Sequence, residues 1–280
     1  MTARNKLRGW RKMANAMWSE PRDPQIYGAI EVEATNLLRF IDGCRSLGHK
    51  VTPTHLVGRA VALMLRDVPE LNVRIVGGET IQRESADVFF IAAVEGGREL
   101  SGVKVERLEH KDVVDLAVEL AERAARMRAG KEDELAKSKG ILDALPLPLL
   151  RLAMRLTAYV TADKDTSIDL LGLKRTPFGS AIVTSVGMFG IPMGFAPIAS
   201  LERVPLLVLV GAVADKPVVI DGKIEIRSML PITATIDHRY VDGWHISRAM
   251  RTFRSYLESP ATFETDLARR INARAASRPS

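Results

Sequence analysis

Along this chain the apolar positions fall first at helical spacing and later, over the last third, in short β-branched runs. Helical spacing predicts helices over Leu7–Met17, Asn36–Leu47 and Pro53–Arg66, the last with Leu56, Ala60, Leu63 and Met64 on one face. Thr52 or Thr54 is positioned to cap it. A further helix is predicted over Asp112–Arg128, where Val113, Leu116, Leu120 and Ala124 form one stripe and Glu119, Glu122 and Arg126 lie outside it. Strands are predicted at Tyr27–Glu33, Val73–Val76 and Val88–Val94, then at Ala181–Val186, Val204–Val213, Pro217–Ile220, Lys223–Arg227 and Pro231–Asp237. Asp221-Gly222 reads as a type I′ hairpin turn. Val204–Val213 carries no polar side chain, so it belongs in a sheet covered on both faces. The last predicted helix turns Ile246, Ala249, Met250, Phe253, Tyr256 and Leu257 inward and Arg248, Arg251 and Arg254 outward.

The middle of the chain has a different texture. Leu145-Pro146-Leu147-Pro148 forbids a continuous helix across it, because proline lacks the donor and clashes with the preceding turn. Leu149–Val160 is then apolar almost all round, broken by Arg151, Arg155 and Thr157. At 1.5 Å per residue it reaches only about 18 Å, too short to span a bilayer. No composition shift or linker marks a boundary, so the pattern implies one α+β domain over 1–280.

Composition narrows the function. The chain of 280 residues is 46% hydrophobic and 26% charged, as expected of a globular protein with a closed core. Its net charge of +6 is scattered, and no aromatic-studded basic platform accompanies it, which argues against nucleic-acid binding. Arg269, Arg270, Arg274 and Arg278 read as a solvated basic tail. One cysteine, Cys44, excludes an intrachain disulfide or a cysteine-based metal cluster, and reads as a buried thiol in a reducing cytoplasm. The basic start of the chain leads into no apolar signal core, and no apolar run is long enough for a transmembrane segment.

Of five histidines, only His238 stands in an informative setting, Asp237-His238-Arg239-Tyr240-Val241-Asp242-Gly243. It leaves a predicted strand, and a carboxylate and a glycine follow. Two readings stand side by side: Asp242 caps the next helix and His238 is a satisfied strand-end histidine, or the two belong to a catalytic loop.

The surrounding motifs bear on that choice. Thr184-Ser185-Val186-Gly187-Met188-Phe189-Gly190-Ile191, Phe195-Ala196-Pro197-Ile198, Lys216-Pro217-Val218 with Asp221-Gly222, and His238 to Gly243 occur in order. Arg11-Lys12-Met13-Ala14 and Pro69-Glu70-Leu71-Asn72 precede them. Together they resemble the catalytic domain of the dihydrolipoamide acyltransferases of 2-oxoacid dehydrogenase complexes, relatives of chloramphenicol acetyltransferase; Asp242-Gly243-Trp244-His245 is closer to the latter's version. The resemblance covers most of the chain. It implies a chloramphenicol acetyltransferase-like two-layer domain, a mixed sheet with helices packed on it.

The resemblance also implies roles. His238 is the general base, and Asp242 is a structural partner of an arginine in the opening helix, Arg11 or alternatively Arg8. Gly187, Gly190 and Gly243 belong to the motif turns. The oxyanion donor falls at Thr184, where relatives have serine, with Ser185 as the alternative if the register is shifted by one. Successive strand side chains face opposite ways, so only one of the two shares a cavity with His238. Acyl transfer between thiols needs a base for the S–H proton and a donor for the oxyanion. An ordinary imidazole facing an ordinary thiol leaves an uphill proton transfer of roughly 3 kcal/mol, within reach of one placed histidine. No metal and no permanently bound cofactor is required; coenzyme A enters as substrate, and any lipoyl group sits on another protein.

The departures are equally specific. No lipoyl domain or subunit-binding domain is recognised. Gly96-Gly97-Arg98-Glu99-Leu100-Ser101-Gly102 replaces an apolar channel-lining stretch of the family. Residues 132–179 read as an insertion, expected to cap or narrow one mouth of the substrate channel. The expectation is a cytoplasmic homotrimer acting on acyl-CoA, as a stand-alone acyltransferase. Two alternatives remain: the catalytic core of a dehydrogenase complex whose lipoyl domains are on another chain, or a non-catalytic trimeric scaffold of the same fold.

Overall fold

A computed structural model describes residues 23–94, 99–128, 146–168, 175–199 and 201–277. Its centre is a seven-stranded mixed sheet in the order β1-β9-β7-β6-β4-β5, with β8 pairing only with β9. The strands are β1 (Gln25–Glu33), β4 (Val88–Val94), β5 (Glu99–Val105), β6 (Ala181–Ser185), β7 (Leu206–Val210), β8 (Ala214–Ile220) and β9 (Lys223–Asp237). β4, β6 and β7 run parallel, and the other pairings are antiparallel. A separate hairpin joins β2 (Val73–Val76) to β3 (Glu79–Gln82).

Among the described residues, helices cover one face of the large sheet, and the helix Leu147–Ala158 adds nothing to the core there. α1 spans Thr35–Ser46, α2 Pro53–Asp67, α3 Val113–Arg128, α4 Leu147–Ala158, α5 Gly243–Glu258, α6 Pro260–Phe263 and α7 Thr265–Ala276. α2 was expected to bury one face, but Leu56 through Leu65 is buried except at Arg59. It is the central helix, and Gly58 lets it approach Phe90 of β4: a Cβ there would lie 2.3 Å from the ring. Val88, Val183, Val208 and Ile232 point up from the sheet into this core, and Phe253 and Tyr256 of α5 close it. Among the described residues, the opposite face carries a small cluster of Ile182, Ile198, Val204 and Leu207.

Two expected strands, Lys223–Arg227 and Pro231–Asp237, form the single β9. Pro231 does not break it for a definable reason. Its carbonyl accepts from Gly211 N at 2.9 Å, so its donor-less nitrogen faces the same side. There, β8 pairing has ended at Met229 and β7 pairing begins at Ile232, so the missing donor falls in the gap between the two ladders. β7 is shorter than the expected Val204–Val213 but is buried throughout. Asp221 and Gly222 both adopt positive φ, as a type I′ turn requires. The expected basic tail is instead α7, with Leu267 buried and Arg269, Arg270 and Arg274 on its exposed side. Cys44 is buried, as expected, and burial pushes its thiol up to about 12. The expected opening helix and the Gly96–Arg98 stretch lie outside the described residues.

Beyond α4, the segment to Asp165 is fastened to the body by ion pairs. Arg203 grips Asp163 with two bonds, of 2.9 and 3.1 Å. Buried Arg74 donates to Ala162 O at 2.8 Å and lies 3.4 Å from Asp165. These contacts hold it beside the end of the sheet where β7 begins and β9 finishes.

Candidate active site

β9 ends at Asp237, and the chain turns sharply through His238-Arg239-Tyr240 into α5. The turn is held from several sides. Asp237 N donates to Pro205 O at 2.9 Å and His238 N to Pro24 O at 3.0 Å. The buried Asp237 carboxylate accepts from both the backbone and the guanidinium of Arg239. His238 is thus clamped between two paired residues while its own ring is exposed.

The ring's orientation is fixed within the turn, where Nδ1 lies 2.5 Å from the carbonyl oxygen of Val241. A carbonyl only accepts, so Nδ1 carries the proton and Nε2 keeps its lone pair. Val241 itself is buried, which makes that carbonyl a stable anchor.

Asp242 does not touch His238. It is the N-cap of α5, and its Oδ1 accepts from Trp244 N at 3.0 Å and His245 N at 3.2 Å. His245 Nδ1 lies 2.7 Å from the same oxygen. These bonds, led by the one from the His245 backbone, hold the Asp242 carboxyl below its ordinary range. The capping read for Asp242 is thus present in the structure. Arg11 and Arg8 lie outside the described residues.

Sequence reasoning takes His245 for a first-turn surface or packing residue, tolerant of replacement by alanine; the structure shows that it completes the capping box. The signal was present in Asp242-Gly243-Trp244-His245: a capping carboxylate followed, at the third helical position, by a side chain able to reach back. Trp244 is exposed, with the Arg248 guanidinium 4.6 Å above its ring. Arg248 pairs in turn with Glu70 at 2.8 Å. The Pro69-Glu70-Leu71-Asn72 motif is thereby explained structurally: a tight turn that buries Leu71 and fastens the start of α5.

Thr184 and Ser185 are separated by the sheet. Val183 belongs to the helix-side core and Ile182 to the cluster beneath, so Thr184 shares the helix-free face with Ile182. Ser185 belongs to the helix side, and its hydroxyl donates to Val210 O at 3.3 Å. Thr184 stands in a row with Leu209 and Thr233. Gly187 and Gly190 shape the turn just beyond it. A Cβ on Gly187 would lie 2.5 Å from Gly211 O, and Gly190 sits at φ +72. Gly243 opens the first turn of α5.

Thr184 and His238 do not meet within one chain. Thr233 is four residues from Asp237, so the two sites are on the order of 13 Å apart along β9. Between them runs Gly194–Ile198, tied down by Thr233 Oγ1 to Gly194 O and by Gln25 Nε2 to Ile198 O at 3.2 Å. Met188, Phe189, Ile191, Met193 and Phe195 are exposed, as is Tyr27, whose ring packs edge-on against Phe195. The helix-free face thus presents an apolar patch larger than isolated surface residues produce. Among the described residues, no group of histidine, cysteine and carboxylate side chains is arranged to hold a metal ion.

Known proteins match this arrangement of fold and motifs. The family model for the 2-oxoacid dehydrogenases acyltransferase (catalytic domain) matches residues 2–139 and 141–264. The chain belongs to that family. Among curated proteins, it is 24% identical over 261 residues to the dihydrolipoyllysine-residue acetyltransferase component of the pyruvate dehydrogenase complex of Zymomonas mobilis. It is 26% identical over 265 residues to the corresponding component of Bacillus subtilis. These alignments cover 91% and 92% of this chain but only half of each relative's length. Among solved structures, a probable dihydrolipoamide acetyltransferase from Listeria monocytogenes superposes with TM-score 0.61 at 22% identity, covering 92% of this chain and 94% of that one. The dihydrolipoamide acetyltransferase of Azotobacter vinelandii gives 0.63 at 19% identity, covering 86% and 84%. The fold is accordingly the α+β acyltransferase-core fold.

Proposed function

We propose that the chain is a CoA-dependent acyltransferase in which His238 is the general base and Thr184 of a neighbouring copy is the oxyanion donor. The observation that carries this reading is His238 itself: a ring exposed at a strand end, its Nδ1 proton committed to a carbonyl and its Nε2 free to accept. In the Azotobacter relative, a serine, a histidine and an asparagine four residues after it have been investigated for their role in the catalytic mechanism. His238 and Asp242 have that spacing here, and Thr184 takes the serine's place.

The chemistry needs nothing else from the protein. His238 Nε2 removes the proton from an acceptor thiol, and the thiolate attacks the thioester carbonyl of acyl-CoA. The Thr184 hydroxyl donates to the oxyanion as charge develops. Collapse expels the CoA thiolate, which takes the proton back from the imidazolium, so each turnover restores the starting state. The acceptor that fits best is dihydrolipoamide, because the curated relatives are dihydrolipoyllysine-residue acetyltransferase components.

The separation of Thr184 from His238 supports a site assembled between copies, and the apolar helix-free face supports a homotrimer built on it. Asp163–Arg203 fastens its segment at the end of the sheet that carries His238. That position supports the segment's bordering one mouth of the substrate channel. Incubation with a panel of acyl-CoAs, separating acyl-CoA from free CoA by chromatography, with and without dihydrolipoamide, tests the reading. CoA release that depends on dihydrolipoamide supports it; release with neither acceptor nor His238 dependence, or none with any acyl-CoA, overturns it.

A further inference from the structure

α4 is amphipathic in an unusual sense: its apolar stripe points away from the protein. Ala158 is buried against the body and Thr161 and Ala162 follow it inward. On the far side Leu149, Leu152, Leu156 and Tyr159 lie at helical spacing and are 53%, 54%, 56% and 48% exposed. Large apolar side chains that recur on one helix face are ordinarily covered.

The charges beside the stripe are of one sign. Arg151 and Arg155, four apart and both exposed, run along one edge. Neither forms an ion pair with a described residue. Lys164 stands 5.4 Å over the Tyr159 ring at the end of the stripe. No acidic residue occurs between Ala144 and Ala162. The acids that follow are turned to the body: Asp163 is held by Arg203, and Asp165 lies beside Arg74 and Arg175. The outward face therefore presents three leucines, a tyrosine at the margin and cations that no described acidic residue pairs.

We infer that α4 docks on an anionic lipid surface, lying flat with its leucines among the acyl chains and its arginines at the headgroups. The match is in charge and shape. A flat surface of negative headgroups over hydrocarbon accepts a convex stripe with a cationic edge, which needs no complementary groove. The helix has only twelve residues, and no helix among those described is long and apolar enough to cross a membrane. It therefore lies in the interface rather than spanning it. This inference does not depend on acyl transfer.

Flotation of the full chain with phosphatidylcholine vesicles, with and without phosphatidylserine, tests it. The wild type floats with the phosphatidylserine vesicles, roughly tenfold less with phosphatidylcholine alone, and is released by high salt. Leu152→Glu with Leu156→Glu, and separately Arg151→Glu with Arg155→Glu, each reduce the floated fraction roughly tenfold. Because all four residues are exposed, circular dichroism and oligomer size stay unchanged in both variants. Failure of the wild type to float at low salt overturns the inference, as does equal flotation of wild type and either variant. A fall in oligomer size in the leucine variant, without vesicle binding by the wild type, assigns the face to contacts between copies and also overturns it.

Discussion

The Nδ1 atom of His238 stands 2.5 Å from the carbonyl oxygen of Val241. That single contact selects the tautomer whose Nε2 can act as a base, just before the helix that fixes the loop. Replacing His238 with alanine removes the base without disturbing the core, since its ring is exposed. Turnover between acetyl-CoA and dihydrolipoamide is expected to fall ~100- to 10,000-fold with thermal midpoint and oligomer size unchanged. Retention of more than a tenth of the activity would remove His238 from the mechanism.

The two hydroxyls on β6 separate cleanly by substitution. Thr184→Val keeps the side-chain shape and loses the donor, and is expected to slow turnover by about 100- to 1,000-fold. Thr184→Ser is expected to be nearly silent. Ser185→Ala loses a bond to Val210 O on the other side of the sheet and is expected to affect stability more than kcat. The reverse pattern in steady-state kinetics assigns the donor to Ser185.

His245 acts at one remove. Its contact with the capping oxygen of Asp242 holds the start of α5, and through it the His238 turn. His245→Ala is expected to lower kcat without changing KM, by less than the roughly 100-fold minimum expected for loss of the base. His245→Asn, which can still reach back to the N-cap, is expected to restore most of it. An unchanged kcat in the alanine variant would show that the cap alone suffices.

Stability has its own histidine. Burial lowers His55 to about 4, and its Nδ1 accepts from Thr52 N at 3.2 Å, a bond available only to the neutral ring. Unfolding restores the ordinary value near 6.5, so between the two the unfolded chain binds the extra proton. Stability is therefore complete above about 6.5 and declines as pH falls toward about 4, by ~3 kcal/mol in all. Urea unfolding across that window is expected to show the slope in the wild type and to lose it in His55→Gln.

Much of this was legible in the sequence. The helices α1, α2 and α5, the parallel strands and the hairpin at Asp221-Gly222 follow from period and turn chemistry, which act locally. β9 did not, because whether Pro231 breaks a strand depends on which neighbour faces its missing donor. The short β2–β3 hairpin was read only by half: Glu79–Gln82 is exposed throughout and carries no burial pattern to detect. At the site, the turn at His238 and the capping potential of Asp242 were readable from residue type and spacing. What was not readable is the distance between His238 and Thr184, which the sheet sets by placing them at opposite ends of one face.

That distance makes the central claim testable by mixing. His238→Ala and Thr184→Val chains, each inactive alone, are unfolded together in equal amounts and refolded into mixed oligomers. If each site takes its histidine from one copy and its threonine from another, about a quarter of the sites receive both, and acyl transfer returns to about a quarter of wild type. Activity no higher than that of the separately refolded parents would contradict a site shared between copies.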